Sequence, residues 1–480
     1  MNILHYFLGL PPLHGGGLMI YARDLAFEQR KSGNKVFMLF PGVYKEKAKF
    51  SQIKFYKKVN QIELYQIVNP QPVSLSGIVN PKEFIKPKHR NDFKDFLQEN
   101  KIDVLHVHSL IGLPKELVEE AKKLNIKTIF TVHDYFGLCP KISLFNYDNK
   151  VCYDYKSGRE CVRCNRPSTN LKQLEKQLLQ RNLIVLSSSF ISNRITFSLA
   201  KLVHNAAKKI LNSYVKKNSL ENTVRDLDYV ADASDYVEFR QYYLQFIEWF
   251  DLVIFNSEVT KETFSRYLDL AKINNKVISV THSRIADNRR VFSYEPIKDG
   301  KINFVYLGYL DYRKGFFDLI EVLEEVRKEH TNWELHIYGD YSHLNIQRYN
   351  NRFYKFHGKY SHESFAEIFS NSSVLLIPSK WKETFGFIGL EAYSWGIPSI
   401  ASENVGFSMV INQSKGGMVY SESDDNFGLK SSILAVLSKP QLLYELNQRI
   451  LEDEHFQNYL MENHVKRITE CYEELLEENT

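Results

Sequence analysis

The chain has 480 residues, of which 44% are hydrophobic and 25% are charged, and its formal net charge at pH 7 is +5. This length predicts two or three domains with sizeable cores, and the composition excludes an intrinsically disordered chain. The sequence has no run approaching 18 apolar residues and no secretory signal pattern at its start, so we expect a cytoplasmic protein that does not span a membrane.

Positive charge is concentrated in the first 300 residues. They carry 45 Lys and Arg against 31 Asp and Glu, whereas the last 180 residues carry 17 against 26. A basic surface of this kind suits an anionic membrane, a phosphorylated ligand or nucleic acid. Because the sequence contains no zinc-finger, RNP or other nucleic-acid motif, we expect no nucleic-acid partner.

The chain opens with an apolar segment, residues 2–8, that predicts a strand, and residues 19–29 have helical periodicity. Between them lie three consecutive glycines, Gly15, Gly16 and Gly17. Glycines before a helix let the backbone approach a phosphate closely. A plain tight turn is the alternative.

Strand and helix patterns then alternate up to residue 134 and again at residues 251–280, which predicts a doubly wound parallel sheet. The predicted strands cover residues 35–40, 62–68, 103–108, 127–134, 251–256 and 276–280, and the predicted helices cover residues 91–100, 115–124 and 257–270. Two of these strands end in histidines, His108 and His133, the second followed by Asp134. Ligands of such sheets bind at the carboxyl ends of the strands.

Four of the five cysteines fall within 26 residues, in the spacing C-x12-C-x8-C-x2-C: Cys139, Cys152, Cys161 and Cys164. In a reducing cytosol, clustered thiols with a C-x2-C pair favour structural zinc over disulfides. Incidental buried thiols are the alternative. Four protein thiolates leave no open coordination position, so we expect such a zinc ion to shape a loop and take no part in catalysis.

Residues 165–250 interrupt the alternating pattern. Residues 184–217 place apolar side chains on one helical face and lysines on the other, and residues 151–220 carry 13 basic and 3 acidic side chains. A basic amphipathic helix of this kind suits peripheral contact with an anionic membrane. An ordinary helix packed on its domain, with a solvated lysine face, is the alternative. Residues 219–249 follow as a more acidic helical segment.

A polar, basic segment at residues 283–290 predicts a linker, after which the alternating pattern starts afresh. The predicted strands of this second half cover residues 302–307, 333–339, 353–358, 373–378, 397–401 and 416–419. The first is followed by a turn from Gly308 to Gly315 that contains Arg313 and Lys314. The last 40 residues are acidic and have a helical pattern.

The stretch from Lys382 to Glu391 follows a predicted buried strand and opens a predicted helix. It places two carboxylates, Glu383 and Glu391, eight residues apart with Phe385 and Gly386 between them. A helix start offers free N–H groups to a phosphate, and glycine permits close approach. The alternative is two surface carboxylates that flank a helix start.

This stretch resembles the glutamate-x7-glutamate signature of glycosyltransferase family 4, whose members are retaining nucleotide-sugar transferases of the GT-B fold. The resemblance covers residues 1–140 and 250–440. It implies an α/β protein with two Rossmann-like, doubly wound domains that face each other across a cleft. The implied divisions are an acceptor domain at residues 1–290, with an insertion at about 136–250 on its acceptor or membrane side, a donor domain at 296–452, and a helix at 453–480 that crosses back to the first domain.

The resemblance also implies roles for individual residues. The first glutamate of the signature contacts the transferred sugar and the second contacts the ribose, while the histidine of a Val-His-Asp segment lies at the reaction centre. The turn after residue 307 resembles a Gly-Arg-x4-Lys-Gly segment that neutralises the donor diphosphate, with Tyr309 in place of the arginine; Arg313 or Arg284 could compensate. The implied catalytic residues are His133, Lys314 and Glu383, with His108 ranked behind, and the implied donor-binding residues are Gly16, Gly17, Gly308, Arg313, Lys314, Glu383, Phe385, Gly386 and Glu391.

Similar segments in the family have a His-Asp pair followed by Cys-Pro and spaced cysteines, which Cys139 and Pro140 resemble. Lys359 and Tyr360 are placed to form a lid over the nucleotide base. We therefore expect a retaining transferase without a catalytic metal that takes a nucleotide sugar, preferably a UDP-sugar. The expected acceptor is a lipid-linked or cell-surface glycan intermediate at the inner face of the membrane.

Two alternatives stay open. A catalytically silent relative that serves as a partner or chaperone subunit would explain Tyr309. A different enzyme on the same architecture, such as a sugar-nucleotide epimerase or a phosphorylase, has no particular feature in its favour.

Overall fold

The computed structural model describes residues 1–11, 15–44, 50–75, 77–88, 92–166, 181–182, 185, 231–350, 352–421 and 427–477. Among these residues, no helix combines the length and the apolar character needed to cross a membrane. The amphipathic segment predicted at residues 184–217 lies almost entirely outside the described residues.

The first half of the chain forms an eight-stranded sheet within the described residues. Its spatial order is β3-β4-β2-β1-β5-β6-β7-β8, and every neighbouring pair is parallel except β3 and β4. The strands are β1 (Asn2–Tyr6), β2 (Lys35–Pro41), β3 (Gln52–Val59), β4 (Ile62–Val68), β5 (Val104–Val107), β6 (Lys127–Val132), β7 (Leu252–Phe255) and β8 (Asn275–Val277).

The central strands of this sheet are buried and mostly apolar because helices cover both faces. All four residues of β5 and of β7 are buried. The edge strand β3 is different, since it carries Lys54, Lys57 and Lys58. The sequence analysis did not predict β3, because its lysines hide the alternation of a strand; an edge strand tolerates them, since one side faces water.

The second half forms a six-stranded, all-parallel sheet with the order β11-β10-β9-β12-β13-β14. The strands are β9 (Ile302–Leu307), β10 (Trp333–Tyr338), β11 (Tyr354–Gly358), β12 (Val374–Ile377), β13 (Ser399–Ser402) and β14 (Gly417–Tyr420). Two doubly wound parallel sheets confirm the predicted GT-B fold class.

Helices follow most strands. Those of the first half are α1 (Gly17–Lys31), α2 (Phe93–Glu99), α3 (Lys115–Lys123), α4 (Arg159–Asn165), α5 (Ala233–Ile247) and α6 (Glu258–Ser265). Those of the second half are α7 (Phe316–Val326), α8 (Phe365–Ser370), α9 (Phe387–Tyr393), α10 (Ser408–Ser414), α11 (Phe427–Ser438), α12 (Gln441–Glu452) and α13 (Met461–Glu477). Short 3-10 turns lie at Pro81–Phe84, Leu270–Lys272, Ile346–Arg348, His362–Ser364 and Glu454–Tyr459.

The last helix, α13, packs on the first sheet, although the residues before it belong to the second half. The hydroxyl of Tyr21 on α1 lies 2.9 Å from His464 Nε2, and that of Tyr472 lies 2.6 Å from His106 Nδ1 on β5. Tyr472 and His464 are fully buried. The two halves of the chain are thus joined by the linker and by this helix.

Candidate functional site

A cleft of about 690 Å³ lies between the carboxyl ends of the two sheets. The first half contributes the glycine loop before α1 and the segment that follows β6; the second half contributes the turn after β9 and the loop after β12. Most of the donor-site residues predicted from the sequence line this cleft: Gly16, Gly17, His133, Gly308, Lys314, Glu383, Phe385, Gly386 and Glu391. Tyr360, one of the two residues predicted to form a lid, also lines it.

Glu383 is held on both of its carboxylate oxygens. Lys314 Nζ lies 2.6 Å from Oε1, and the Ser379 hydroxyl donates to Oε2 at 2.8 Å. Both partners of the ion pair are largely buried, with side-chain exposures of 23% for Lys314 and 12% for Glu383. The carboxylate therefore has a fixed orientation at the floor of the cleft.

A tight turn brings Lys314 to Glu383. Gly315 has a left-handed φ of +67°, and a Cβ there would lie 1.7 Å from the carbonyl oxygen of Pro378 at the end of β12. Only glycine allows the loop after β9 to press against the loop after β12 in this way. The same geometry explains why a glycine follows the lysine in the sequence.

Glu391 lies in the second turn of α9 and meets a residue that the sequence analysis did not single out. His282, which follows β8, places its Nε2 3.2 Å from Glu391 Oε1. The His282 ring lies against Phe387 with a centroid distance of 5.1 Å. His282 and Glu391 are 109 residues apart in the chain, so no local pattern could have linked them.

His133 stands at the first-domain wall of the cleft. Its Nε2 is sealed from solvent and has no hydrogen-bond partner among the described residues. The ring packs on Tyr21 with a centroid distance of 4.9 Å. Burial lowers the pKa of His133 to about 3 and raises that of the neighbouring Asp134 to about 6, so the imidazole is neutral at pH 7.

The two halves touch directly beside these groups. Thr384 accepts a hydrogen bond from the Ser257 hydroxyl at 2.6 Å and donates one to the carbonyl of His133 at 3.0 Å. Nearby, a Cβ on Gly17 would lie 2.8 Å from the ring of Phe387. The sequence analysis missed Ser257 and Thr384, whose contacts cross from one sheet to the other.

The arginines that line the cleft are not the one predicted to bind the donor. Arg23 and Arg284 line the cleft together with Lys314, whereas Arg313 is not among the lining residues and pairs with Asp311 at 3.0 Å. Arg284 forms no ion pair with any described residue. The geometry therefore favours Arg284 over Arg313 as the replacement for the arginine that Tyr309 displaces, and Tyr309 itself is 71% exposed.

The four clustered cysteines do not line this cleft. They are free thiols that line a separate cavity of about 20 Å³. Burial raises the pKa of Cys152 to about 11 and also raises the pKa of Cys161 and Cys164. A second buried cluster lies behind His133 and consists of three histidines, His5, His106 and His108. Their ring nitrogens lie within 4.8 Å of one another, which is closer than the sulfur atoms of the four cysteines lie to one another.

Five of the six ring nitrogens of that histidine group already have hydrogen-bond partners, and His108 Nδ1 has none among the described residues. His5 contacts His108 Nε2 at 2.9 Å and Gln29 at 2.7 Å, and His106 contacts Thr131 at 2.7 Å as well as Tyr472. The predicted secondary role of His108 in the reaction has no support in this geometry, because its ring is fully buried and does not line the cleft.

Two protein families match separate parts of the chain. The model of the family described as "Glycosyltransferase Family 4" matches residues 15–159, and that described as "Glycosyl transferases group 1" matches residues 287–453. These two segments contain the glycine loop, His133, the lysine turn and both glutamates.

Curated relatives match over shorter stretches. An uncharacterized 41.2 kDa protein in the cps region of Klebsiella pneumoniae is 28% identical over 130 residues, which are 27% of this chain and 36% of that protein. Glycogen synthase of Mycobacterium tuberculosis is 27% identical over 169 residues, 34% of this chain and 40% of the relative. The chain thus matches less than half the length of each.

A solved structure matches along the whole chain. Anabaena HepE in complex with UDP covers 99% of this chain and 100% of its own, with a TM-score of 0.53 and 12% sequence identity. At that identity the likeness shows the fold alone.

Proposed function

We propose that this chain, whose residues 15–159 and 287–453 match two glycosyltransferase family models and whose two sheets form a GT-B fold, is a glycosyltransferase that transfers a sugar with retention of configuration from a nucleotide-sugar donor to a glycan acceptor. The donor is bound by the second domain and the acceptor by the first. The observation that carries this proposal is the pair of Lys314 and Glu383, fixed at 2.6 Å in the cleft with Glu391 nearby.

In the proposed complex, Glu383 and His133 hold hydroxyls of the donor sugar, and Glu391 holds the ribose. Lys314 lies where the diphosphate leaves, and α1 opens toward the same cleft with an uncapped amino terminus at Gly16. Fixed cations and free N–H groups stabilise the charge that develops on a leaving phosphate. The chain's own cations take this role, so the proposed step uses no metal ion.

The proposed reaction occurs on one face of the sugar. The bond between the anomeric carbon and the β-phosphate oxygen breaks, the acceptor oxygen bonds to that carbon from the same side, and the acceptor proton passes to the departing phosphate. This scheme needs no separate protein base. It is consistent with a neutral His133, whose pKa of about 3 makes it a hydrogen-bonding group and not a proton carrier near pH 7.

We further propose a UDP-sugar as donor and a lipid-linked or cell-surface polysaccharide intermediate as acceptor, at the cytoplasmic face of the membrane. The structural neighbour contains UDP, and the Klebsiella relative is encoded in a capsule (cps) region. The excess of basic residues in the first 300 positions suits an anionic surface or acceptor.

Donor binding tests the proposal. Saturation-transfer NMR with UDP-, GDP-, dTDP- and ADP-sugars should reveal one preferred nucleotide, and Lys314→Ala should weaken its binding about 10-fold or more, because a buried cation facing a phosphate contributes more than 1 kcal/mol. Arg313→Ala is the matched control: it removes the adjacent cation, which pairs with Asp311 outside the cleft.

Product analysis then tests retention. The anomeric configuration of the product, read from its proton coupling constant, should equal that of the donor, and turnover should persist in excess EDTA. Binding of no nucleotide sugar would overturn the proposal in favour of a silent partner subunit. An inverted product would overturn the retaining scheme alone.

A further inference from the structure

The four cysteines of the insertion surround one small cavity that also receives a buried arginine. Cys161 and Cys164 lie one turn apart on α4, and both are buried. Cys139 and Cys152 are held by backbone hydrogen bonds from their N–H groups to Tyr135 at 2.8 Å and to Leu144 at 2.7 Å. Three separate segments of the chain thus deliver thiols to a cavity of about 20 Å³.

Arg240 enters this cavity from α5 and is 4% exposed. Its guanidinium lies between the rings of Tyr155 and Tyr267, at 3.6 and 4.9 Å from their centroids. Nη2 donates to the carbonyl of Leu138, but Nη1 has no hydrogen-bond partner among the described residues. Glu160, which also lines the cavity, pairs with Lys156 instead.

A buried guanidinium without a carboxylate is costly, so its site normally contains an anion. Neutral thiols do not supply the missing negative charge. A zinc ion with four thiolates carries a net charge of −2, and the cavity is lined by the four thiols and by two cationic side chains, Lys141 and Arg240, of which Arg240 is the buried one. Arg240 therefore has the positive charge and the position needed to balance part of the negative charge of such a zinc centre.

We propose that Cys139, Cys152, Cys161 and Cys164 bind one structural Zn²⁺ and that Arg240 compensates its charge. Binding replaces four thiol protons by one metal ion, and the sulfur atoms draw inward toward Zn–S distances of about 2.3 Å. All four coordination positions belong to the protein, so the metal does no catalysis. The inference stands independently of the proposed transfer reaction.

The zinc centre would shape the first-domain rim of the cleft. Tyr153, next to Cys152, accepts a hydrogen bond from Tyr267 at 3.3 Å, and Lys382 of the second domain places its Nζ 5.9 Å from the Tyr153 ring. Lys382 directly precedes Glu383. Metal binding thus fixes a loop that contacts the catalytic loop of the other domain.

Metal content of the purified full-length protein tests the proposal. Elemental analysis should find one zinc per chain, and the Co²⁺-substituted protein should show the intense visible bands of tetrahedral thiolate coordination. Cys161→Ser combined with Cys164→Ser should abolish both signals, whereas Cys471→Ser, a buried cysteine on α13, should leave them unchanged.

Arg240 is tested separately by competition with a chelator of known affinity. Arg240→Gln should bind zinc about 10-fold more weakly, as for other groups that support metal ligands, and Arg240→Lys should recover part of the loss. Equal affinity in all three proteins would overturn the role of Arg240.

The wild-type protein provides a test that does not depend on variants folding. Alkylation followed by mass spectrometry should find the four cysteines protected until the metal is removed by chelation. The proposal would be overturned if the four thiols react freely, if they form disulfides with one another, or if the protein contains iron in place of zinc. It would also be overturned if metal persists in the double serine variant. The last result would point to His5, His106 and His108.

Discussion

The hydroxyl of Thr384 donates a hydrogen bond of 3.0 Å to the backbone carbonyl of His133, across the cleft that separates the two domains. Its own carbonyl accepts from Ser257 on the far side. Thr384 directly follows Glu383, so these two bonds set the distance between the carboxylate of one domain and the imidazole of the other.

Thr384→Val should weaken donor binding about 5-fold. Valine keeps the shape of threonine but removes the donor to His133, and loss of one hydrogen bond costs the closed state about 1 kcal/mol. Isothermal titration with the preferred nucleotide sugar measures the effect. Thr384→Ser should restore the affinity. Thr263→Val removes a hydroxyl that donates to the carbonyl of Val259 in α6 and makes no bond to the described residues of the second domain, so it is the control; an equal loss in the control would argue for general destabilisation.

Gly17→Ala should hold the cleft open and reduce donor affinity, because the new methyl group would lie 2.8 Å from the Phe387 ring of the other domain. Gly15→Ala, two residues earlier, meets nothing within 4 Å and should be neutral. Small-angle scattering should report a larger radius of gyration for Gly17→Ala alone.

A double mutant separates this clash from a backbone effect at Gly17. Phe387→Leu makes room at the contact, so the double variant should bind donor more tightly than Gly17→Ala does. If Phe387→Leu does not restore donor affinity, the loss of affinity in Gly17→Ala arises within the first domain.

The site residues that could be predicted from the sequence are those that lie together in one loop. Lys314 and Gly315 lie in the loop after β9, and Glu383 and Gly386 lie in the loop after β12. The carboxyl end of a parallel strand is where ligands bind. The contact of His282 with Glu391 and that of Thr384 with His133 could not be found this way, since they join residues 109 and 251 positions apart. Such pairs depend on how the domains meet, which periodicity does not encode.

The same limit applies to the fold. Buried strands such as β5 and β9 are rich in apolar residues and were predicted within two residues. The lysine-rich edge strand β3 was missed because its stability comes from pairing with β4, and not from a pattern of its own.

Arg284→Ala should raise the dissociation constant of the nucleotide sugar about 5- to 10-fold, with a smaller effect at high salt. The side chain is exposed at the cleft and has no ion-pair partner among the described residues, so its charge is available to a diphosphate. Arg290→Ala, an exposed arginine of the same linker that binds the carbonyl of Leu451 instead, is the matched control. Titration of each protein with the nucleotide sugar at two ionic strengths measures the effect. Equal affinities for Arg284→Ala and wild type would mean that Lys314 is the principal cation that contacts the diphosphate.

Lowering the pH should begin to destabilise the protein at a pH well above the range in which its carboxylates take up protons. Burial lowers the pKa of His5 to about 4 and that of His464 to about 3, and it also lowers the pKa values of His106 and His108 well below the ordinary value of 6.5. These rings are neutral in the folded state, whereas in the unfolded state they take up protons below about pH 6.5. Folding stability is therefore complete above that pH and is lost progressively toward pH 4.

Each of these histidines should remove about 1 kcal/mol of stability between pH 8 and pH 5.5, which denaturant unfolding at a series of pH values will measure. His464→Gln should flatten the dependence, because glutamine can keep a hydrogen bond to Tyr21 but does not titrate. His455→Gln, which removes an exposed imidazole, should leave it unchanged. If His464→Gln unfolds with the same pH dependence as the wild type, this ring is not the buried neutral group that ties α13 to the first domain.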